Sequence, residues 1–250
     1  MDGPTPLITT TWRLPDAPLR ASAVATHLVA LVAVAALAAA ARAALPLSAL
    51  YAAKASAAFA ALMLVSLGFL QQHHPFTRFG PANQVTTMRA AAAALIVGLV
   101  GEAPLPALAA GAVVASLVAT TLDGVDGWLA RRHAIASEFG ARFDMEVDAL
   151  LILTLSVLAW TFGKAGVWVL ASGAMRYAFV AAGAEWRWMR TPLPPSRRRQ
   201  TICVVQVAAL TIALVPLVAP PISAAIAAGA LAALAWSFLI DTLWLWRRAP

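Results

Sequence analysis

The sequence predicts an all-α protein that crosses a membrane about eight times, and three observations carry that expectation. The first is composition: of 250 residues, 62% are hydrophobic and 12% charged, with a mean hydropathy of +0.80. That balance belongs to polytopic membrane proteins rather than to soluble domains. The second is a succession of apolar runs, each near the roughly 20 residues that a spanning helix requires. The third is that basic residues are sorted onto alternate connections between those runs.

Residues 1–20 are polar and broken by Pro4, Pro6, Pro15 and Pro18, which predicts a short, irregular cytoplasmic tail. The first apolar run covers 21–41. A cleaved signal peptide is the alternative there, but the run exceeds an h-region of about 7–15 residues. A second run, 47–70, is interrupted only by Lys54. The polar stretch 71–81 separates it from the third run, 85–100, and Glu102 and Pro104 mark a tight turn into the fourth, 105–122. The fifth covers 145–162, Gly163-Lys164 turns the chain into the sixth at 165–183, and a basic loop follows. The seventh and eighth, 201–218 and 223–246, flank Pro220-Pro221. The expected organisation is a tail (1–20), two N-terminal helices (21–70) and a six-helix unit (81–250).

Charge orients this array. With the N-terminus cytoplasmic, one set of connections holds Arg13, Arg20, Arg78, Arg131, Arg132, Arg142, Arg187, Arg190, Arg197, Arg198, Arg199, Arg247 and Arg248. The other set holds only Arg42, Lys54 and Lys164. This is the positive-inside asymmetry, and it predicts an integral protein of a bacterial inner (plasma) membrane. The net charge of +7 is therefore a matter of topology and lipid headgroups, with no nucleic-acid partner expected. Trp160, Trp168, Trp186, Trp188, Trp244 and Trp246 fall near span ends as interfacial anchors. The single cysteine, Cys203, excludes an intrachain disulfide and reads as a small apolar side chain. His27, His73, His74 and His133 show no metal-ligand spacing.

Negative charge is concentrated instead. Of eleven Asp and Glu residues, six fall within 123–148: Asp123, Asp126, Glu138, Asp144, Glu146 and Asp148. Carboxylates beside apolar segments cost free energy unless a partner compensates. Asp123 and Asp126 are three apart and Asp144 and Asp148 four apart, so on helices each pair shares a face. The segment between the pairs is long enough to turn back, and Gly140 would suit such a turn. Oxygen-only ligands favour Mg²⁺, Mn²⁺ or Ca²⁺, and two such ions some 3.5–4 Å apart form the clamp of phosphoryl-transfer sites. An Asp-Gly turn or a helix cap would explain one pair but not four spaced aspartates. The spacing excludes an EF-hand loop.

The stretch reads D-x2-D-G-x2-A-R-x8-G-x3-D-x3-D, and so resembles the signature of the CDP-alcohol phosphotransferase (phosphatidyltransferase) family. The resemblance implies a six-helix membrane enzyme, usually a homodimer, that moves a phosphatidyl or related group from a CDP-linked donor such as CDP-diacylglycerol to a hydroxyl acceptor, releasing CMP. It implies that Asp123, Asp126, Asp144 and Asp148 bind Mg²⁺ or Mn²⁺, two ions in all, with Asp148 also the general base. Gly127, Ala130 and Gly140 match positions that leave room for the cytidine nucleotide, and Arg131 a basic position near its phosphates. Upstream, Pro81-Ala82-Asn83-Gln84-Val85-Thr86-Thr87-Met88-Arg89 resembles the family's P-N-x2-T-x2-R opening, which assigns Asn83, Thr86 and Arg89 to the CDP pocket. The two N-terminal helices lie outside the resemblance.

For the acceptor or its phosphate, Arg142, Arg176, Arg197, Arg198 and Arg199 are the candidates. Arg176 lies in a predicted span, where a charge needs a partner, and Glu146 is a candidate for it. Relatives acting on phosphorylated acceptors often carry a basic residue after the fourth aspartate, and here that residue is Ala149. This weakens the case for glycerol phosphate and inositol phosphate. Competing readings are a polytopic ion transporter with a carboxylate site and a catalytically silent family member. The expected position of the carboxylates at cytoplasmic span ends favours the enzyme over the first, and the intact aspartates favour it over the second.

Overall fold

Eight α-helices and two single-turn 3-10 segments make up residues 14–132 and 137–248, the parts of the chain that the computed structural model describes; no strand occurs among them. Helix α1 (Ala17–Ala44) begins inside the stretch assigned to the tail. Pro18 lies in its first turn, where the missing N–H removes no helical bond. Residues 1–13 of the expected tail lie outside the described residues. Helix α2 (Tyr51–His73) follows, then α3 (Pro81–Gly98), which starts from Gly80 at φ 81° with proline in its first turn. Glycine is the residue that adopts this left-handed backbone at no cost. The remaining helices are α4 (Pro106–Arg132), α5 (Glu138–Thr161), α6 (Ala171–Glu185), α7 (Arg197–Leu214) and α8 (Ile222–Trp246).

Five helical stretches among the described residues are long and apolar enough to cross a bilayer: Ala17–Ala44, Tyr51–Leu70, Pro106–Gly127, Val167–Glu185 and Ile222–Trp246. They indicate an integral membrane protein. Helices α3, α5 and α7 fall short for a common reason. Each carries polar residues that face its neighbours: Asn83, Thr86 and Arg89 on α3, Asp144 and Asp148 on α5, Arg198 and Arg199 on α7.

Helix α3 occupies the middle, packed most extensively on α4 and also on α1, α2 and α5. Its buried residues Ala90, Ala92, Ala93 and Ala94 allow that close approach, since small side chains let helix backbones come together. Helix α7 packs on α4, α5 and α8, and α6 on α5 and α8. Large apolar side chains such as Leu28, Val29, Leu64, Leu117 and Trp236 point outward, as expected of a surface solvated by lipid tails.

The end that follows α3 is stapled by Glu102. It accepts hydrogen bonds from Lys54 Nζ (2.6 Å), Ser48 Oγ (2.7 Å) and the Ser48 backbone N–H (2.8 Å), joining the α1–α2 connection to the α3–α4 turn. Burial works to raise the Glu102 pKa, but the hydrogen bonds from Lys54 and Ser48 outweigh it and hold the group below the ordinary glutamate value. Lys164 performs a similar task between α5 and α7, donating to the carbonyls of Val215 (3.0 Å) and Val218 (2.7 Å).

Candidate active site

The acidic residues sit at the opposite end. Helix α4 continues unbroken through Asp123-Gly124-Val125-Asp126-Gly127, so neither Asp-Gly pair makes a turn. Asp123 and Asp126 therefore share a face of α4, and Asp144 and Asp148 a face of α5. Both faces turn towards α3 and converge on one side chain, Arg89. Its guanidinium lies 2.7 Å from Asp123 and 2.8 Å from Asp126, and it also bonds to Asp144 and Asp148. Arg89 is only 2% exposed and Asp126 6%. At 1.5 Å per residue, the five charged groups lie about 9–15 Å in from the helix ends at Pro81, Arg132 and Glu138.

A divalent cation fits this donor set. One carboxylate oxygen each from Asp123, Asp126 and Asp144 lies within 4.8 Å of the others, and the donors are oxygen only, as hard cations require. Four carboxylates already closing on one cationic group form a cage of the right charge.

Beside the cluster, the Thr86 hydroxyl donates to Asp126 (3.0 Å). Asn83, 5% exposed, donates to the Phe79 carbonyl at 2.6 Å. Gly140 corrects one expectation. It lies in the first turn of α5 rather than in the reversal between helices, and its missing side chain serves packing: a Cβ there would stand 3.0 Å from Asn83 Oδ1 and 3.3 Å from Ser137 Oγ. Asn83, Thr86, Arg89 and Gly140 thus line one side of the cluster, with half-buried Gly127 on α4 one residue beyond Asp126. Ala130 and Arg131 belong to the last turns of α4, but their side chains lie outside the described set.

Four of the five arginines proposed for the acceptor make other contacts. Exposed Arg142 pairs with Glu138 at 2.9 Å, and Arg176 pairs with Glu146, the partner its position in a span called for. Arg198 and Arg199 both reach Asp241 on α8, at 2.5 and 3.1 Å, and Arg198 also donates to Ser237; Arg197 is exposed. None of these contacts involves the four aspartates.

Three participants escaped the sequence reading. Cys203 on α7 places Sγ 3.5 Å from Asp148 Oδ2, on the wall of a small cavity shared with Arg89, Thr120, Asp123 and Leu151. No spacing rule flags a lone cysteine. Asp241 was legible as the only acid in the last apolar run, a position where charge demands a partner. His74 is buried against α5, and nothing in its local sequence marks it.

Among known proteins, a family model described as CDP-alcohol phosphatidyltransferase matches residues 79–240, which includes every helix that contributes to the cluster. No curated protein and no solved structure matches the chain.

Proposed function

The chain belongs to the CDP-alcohol phosphatidyltransferase family, whose members are phosphotransferases, and on that footing we propose that it moves a phosphatidyl group from CDP-diacylglycerol to a hydroxyl acceptor in phospholipid synthesis. The family implies phosphatidyl transfer from a CDP-alcohol and depends on a divalent metal. The diacylglycerol-linked donor, the two Mg²⁺ or Mn²⁺ ions, the homodimer and the cytoplasmic orientation in a bacterial inner membrane are the finer parts of the proposal. The observation that carries it is the convergence of four aspartates from two helices on one cationic point.

In the reaction, the acceptor oxygen bonds to the phosphatidyl phosphorus and the anhydride bond to CMP breaks, its electron pair leaving on the CMP phosphate. Asp148 takes the acceptor proton. Its carboxylate is held by Arg89 on one oxygen and faces the Cys203 thiol with the other, so it acts by fixed position. Asp123, Asp126, Asp144 and Asp148 would hold the divalent ions, which when bound would neutralise the diphosphate and the departing phosphate. Asn83, Thr86, Gly127, Ala130 and Gly140 shape the nucleotide wall, with Arg89 and Arg131 supplying positive charge for the diphosphate. The residue after Asp148 is Ala149, so no basic side chain stands there to meet an acceptor phosphate. This weakens the case for glycerol phosphate and inositol phosphate as acceptors.

The test is CMP release by purified protein supplied with CDP-diacylglycerol, Mn²⁺ and a panel of acceptors: glycerol 3-phosphate, inositol phosphate, serine, choline and phosphatidylglycerol. Metal-dependent release with one acceptor, abolished by Asp126→Ala in a folded protein, is the expected result. A folded preparation that releases no CMP with any acceptor overturns the lipid-donor reading.

A further inference from the structure

Helices α1 and α2 lie upstream of the family match, yet α1 anchors Phe79 ahead of α3, and His74 after α2 reaches the cap of α5, the helix that carries half of the aspartates. His74, directly after α2, is 7% exposed. Its Nε2 lies 2.9 Å from the Arg78 carbonyl and its Nδ1 3.0 Å from Ser137 Oγ. A carbonyl can only accept, so Nε2 carries the proton and Nδ1 accepts from the Ser137 hydroxyl. Ser137 is the N-cap of α5, and its oxygen in turn accepts from the Gly140 N–H at 3.0 Å. A three-membered relay thus runs from the end of α2, through the cap of α5, to the glycine that stands against Asn83.

Aromatic packing runs alongside. The His74 ring meets Phe139 edge-on (5.9 Å between centroids), and Phe139 packs on Phe79, which meets His27 of α1 at 5.2 Å. The Phe79 backbone N–H donates to Ser22 Oγ of α1 (3.3 Å), and its carbonyl accepts from Asn83. The first turns of α3 and α5, on opposite sides of the Asn83–Gly140 contact, are therefore both anchored on the two N-terminal helices.

We propose that His74 is a positioning residue for the transfer reaction, fixing the Ser137 cap and with it the register of Gly140, Asp144 and Asp148 against α3. Its link to turnover rests on the proposed phosphatidyl transfer. The relay predicts a division of effects. Loss of the two hydrogen bonds loosens the nucleotide wall at Gly140 and Asn83 first, so donor affinity suffers before the chemical step.

The test uses the full chain in detergent or nanodiscs with three variants: His74→Phe, which keeps the ring contacts but neither hydrogen bond; His74→Gln, which keeps a donor and an acceptor; and Ser137→Ala. Steady-state CMP release gives KM and kcat, and calorimetric titration with CMP in the presence of Mn²⁺ gives affinity independently of turnover. We expect His74→Phe to raise the donor KM and weaken CMP binding about tenfold, with kcat within about threefold. His74→Gln should recover most of both. Ser137→Ala should match His74→Phe, and the double variant should be no worse than either single one, as for members of one relay.

Unchanged KM and CMP affinity in folded His74→Phe overturns the proposal, as does full additivity in the double variant. If His74→Phe does not fold, His74→Gln and Ser137→Ala decide between the same outcomes. Failure of the wild type to release CMP overturns the reaction instead, while CMP affinity in the variants still reads the positioning.

Discussion

Arg89 is the charge on which the site depends, and its removal has a calculable effect. Arg89→Gln leaves four carboxylates facing one another with no protein cation among them. Deleting one partner of a buried ion pair costs about 3–5 kcal/mol, because the remaining charge is left uncompensated. Two of the four carboxylates soften that figure: the side chains of Asp123 and Asp144 are 32% and 41% exposed and regain some hydration. A loss of about 3 kcal/mol in metal-free buffer is therefore expected, which for a chain of this size lowers Tm by roughly 6–12 °C. A divalent ion replaces the missing positive charge. At a hundred times its dissociation constant, a ligand that binds only the folded state returns about 2.7 kcal/mol. The assay is thermal unfolding of detergent-solubilised wild type and Arg89→Gln, in chelator and across a Mn²⁺ titration. Arg89→Gln should be much the less stable in chelator and should gain more than wild type from Mn²⁺. Equal melting temperatures in chelator, or equal gains from Mn²⁺, would refute the reasoning. Arg89→Lys should fall between, since a single ammonium cannot match the fork that serves both pairs.

Other outcomes follow from neighbouring contacts. Gly140→Ala gains up to about 1 kcal/mol in helix propensity but presses on Asn83, whose amide is tied to Phe79; thermal stability should hold while calorimetric CMP affinity falls. Asp241→Ala strips Arg198 and Arg199 of their shared carboxylate, and a loss of about 3 kcal/mol with little change in donor KM is expected from unfolding and kinetic assays. Glu102 is held below its ordinary pKa of 4.5, so its stabilising contribution is complete above that value and is lost as pH falls through the lower folded-state value. Melting curves between about pH 5 and pH 3 should therefore fall more steeply for wild type than for Glu102→Gln.

The helix count and the acidic cluster were legible because both are periodic. Apolar runs of spanning length mark the helices, and spacings of three and four put each pair of aspartates on one face. That Arg176 needs a partner followed from the cost of an unpaired charge in a span, with Glu146 one candidate, and the structure pairs the two. Position in three dimensions was less accessible. Arg89 resembles a nucleotide contact in sequence, and only packing α3 between α4 and α5 brings it to all four aspartates. Gly140 suggested a turn because a glycine needed for close approach and one needed for a turn look identical in sequence. His74 acts through a serine sixty-three positions away, and no local pattern encodes a contact of that range.

The sharing of polarity among the helices also bears on how the chain reaches the bilayer. Each helix that falls short as a span, α3, α5 and α7, is followed after a short connection by one that qualifies: α4, the stretch containing α6, and α8. A charged side chain costs a lone inserting segment up to roughly 2.5–3.5 kcal/mol, the upper figure applying at mid-membrane, and Arg89 of α3 and the aspartates of α5 would each incur part of it. Entry as hairpins would let Arg89 of α3 meet Asp123 and Asp126 of α4, and Arg198 and Arg199 of α7 meet Asp241 of α8, before lipid surrounds them. The ion pairs of Arg89 with Asp123 and Asp126 join consecutive helices, so α3 and α4 together already neutralise part of the cluster without α5.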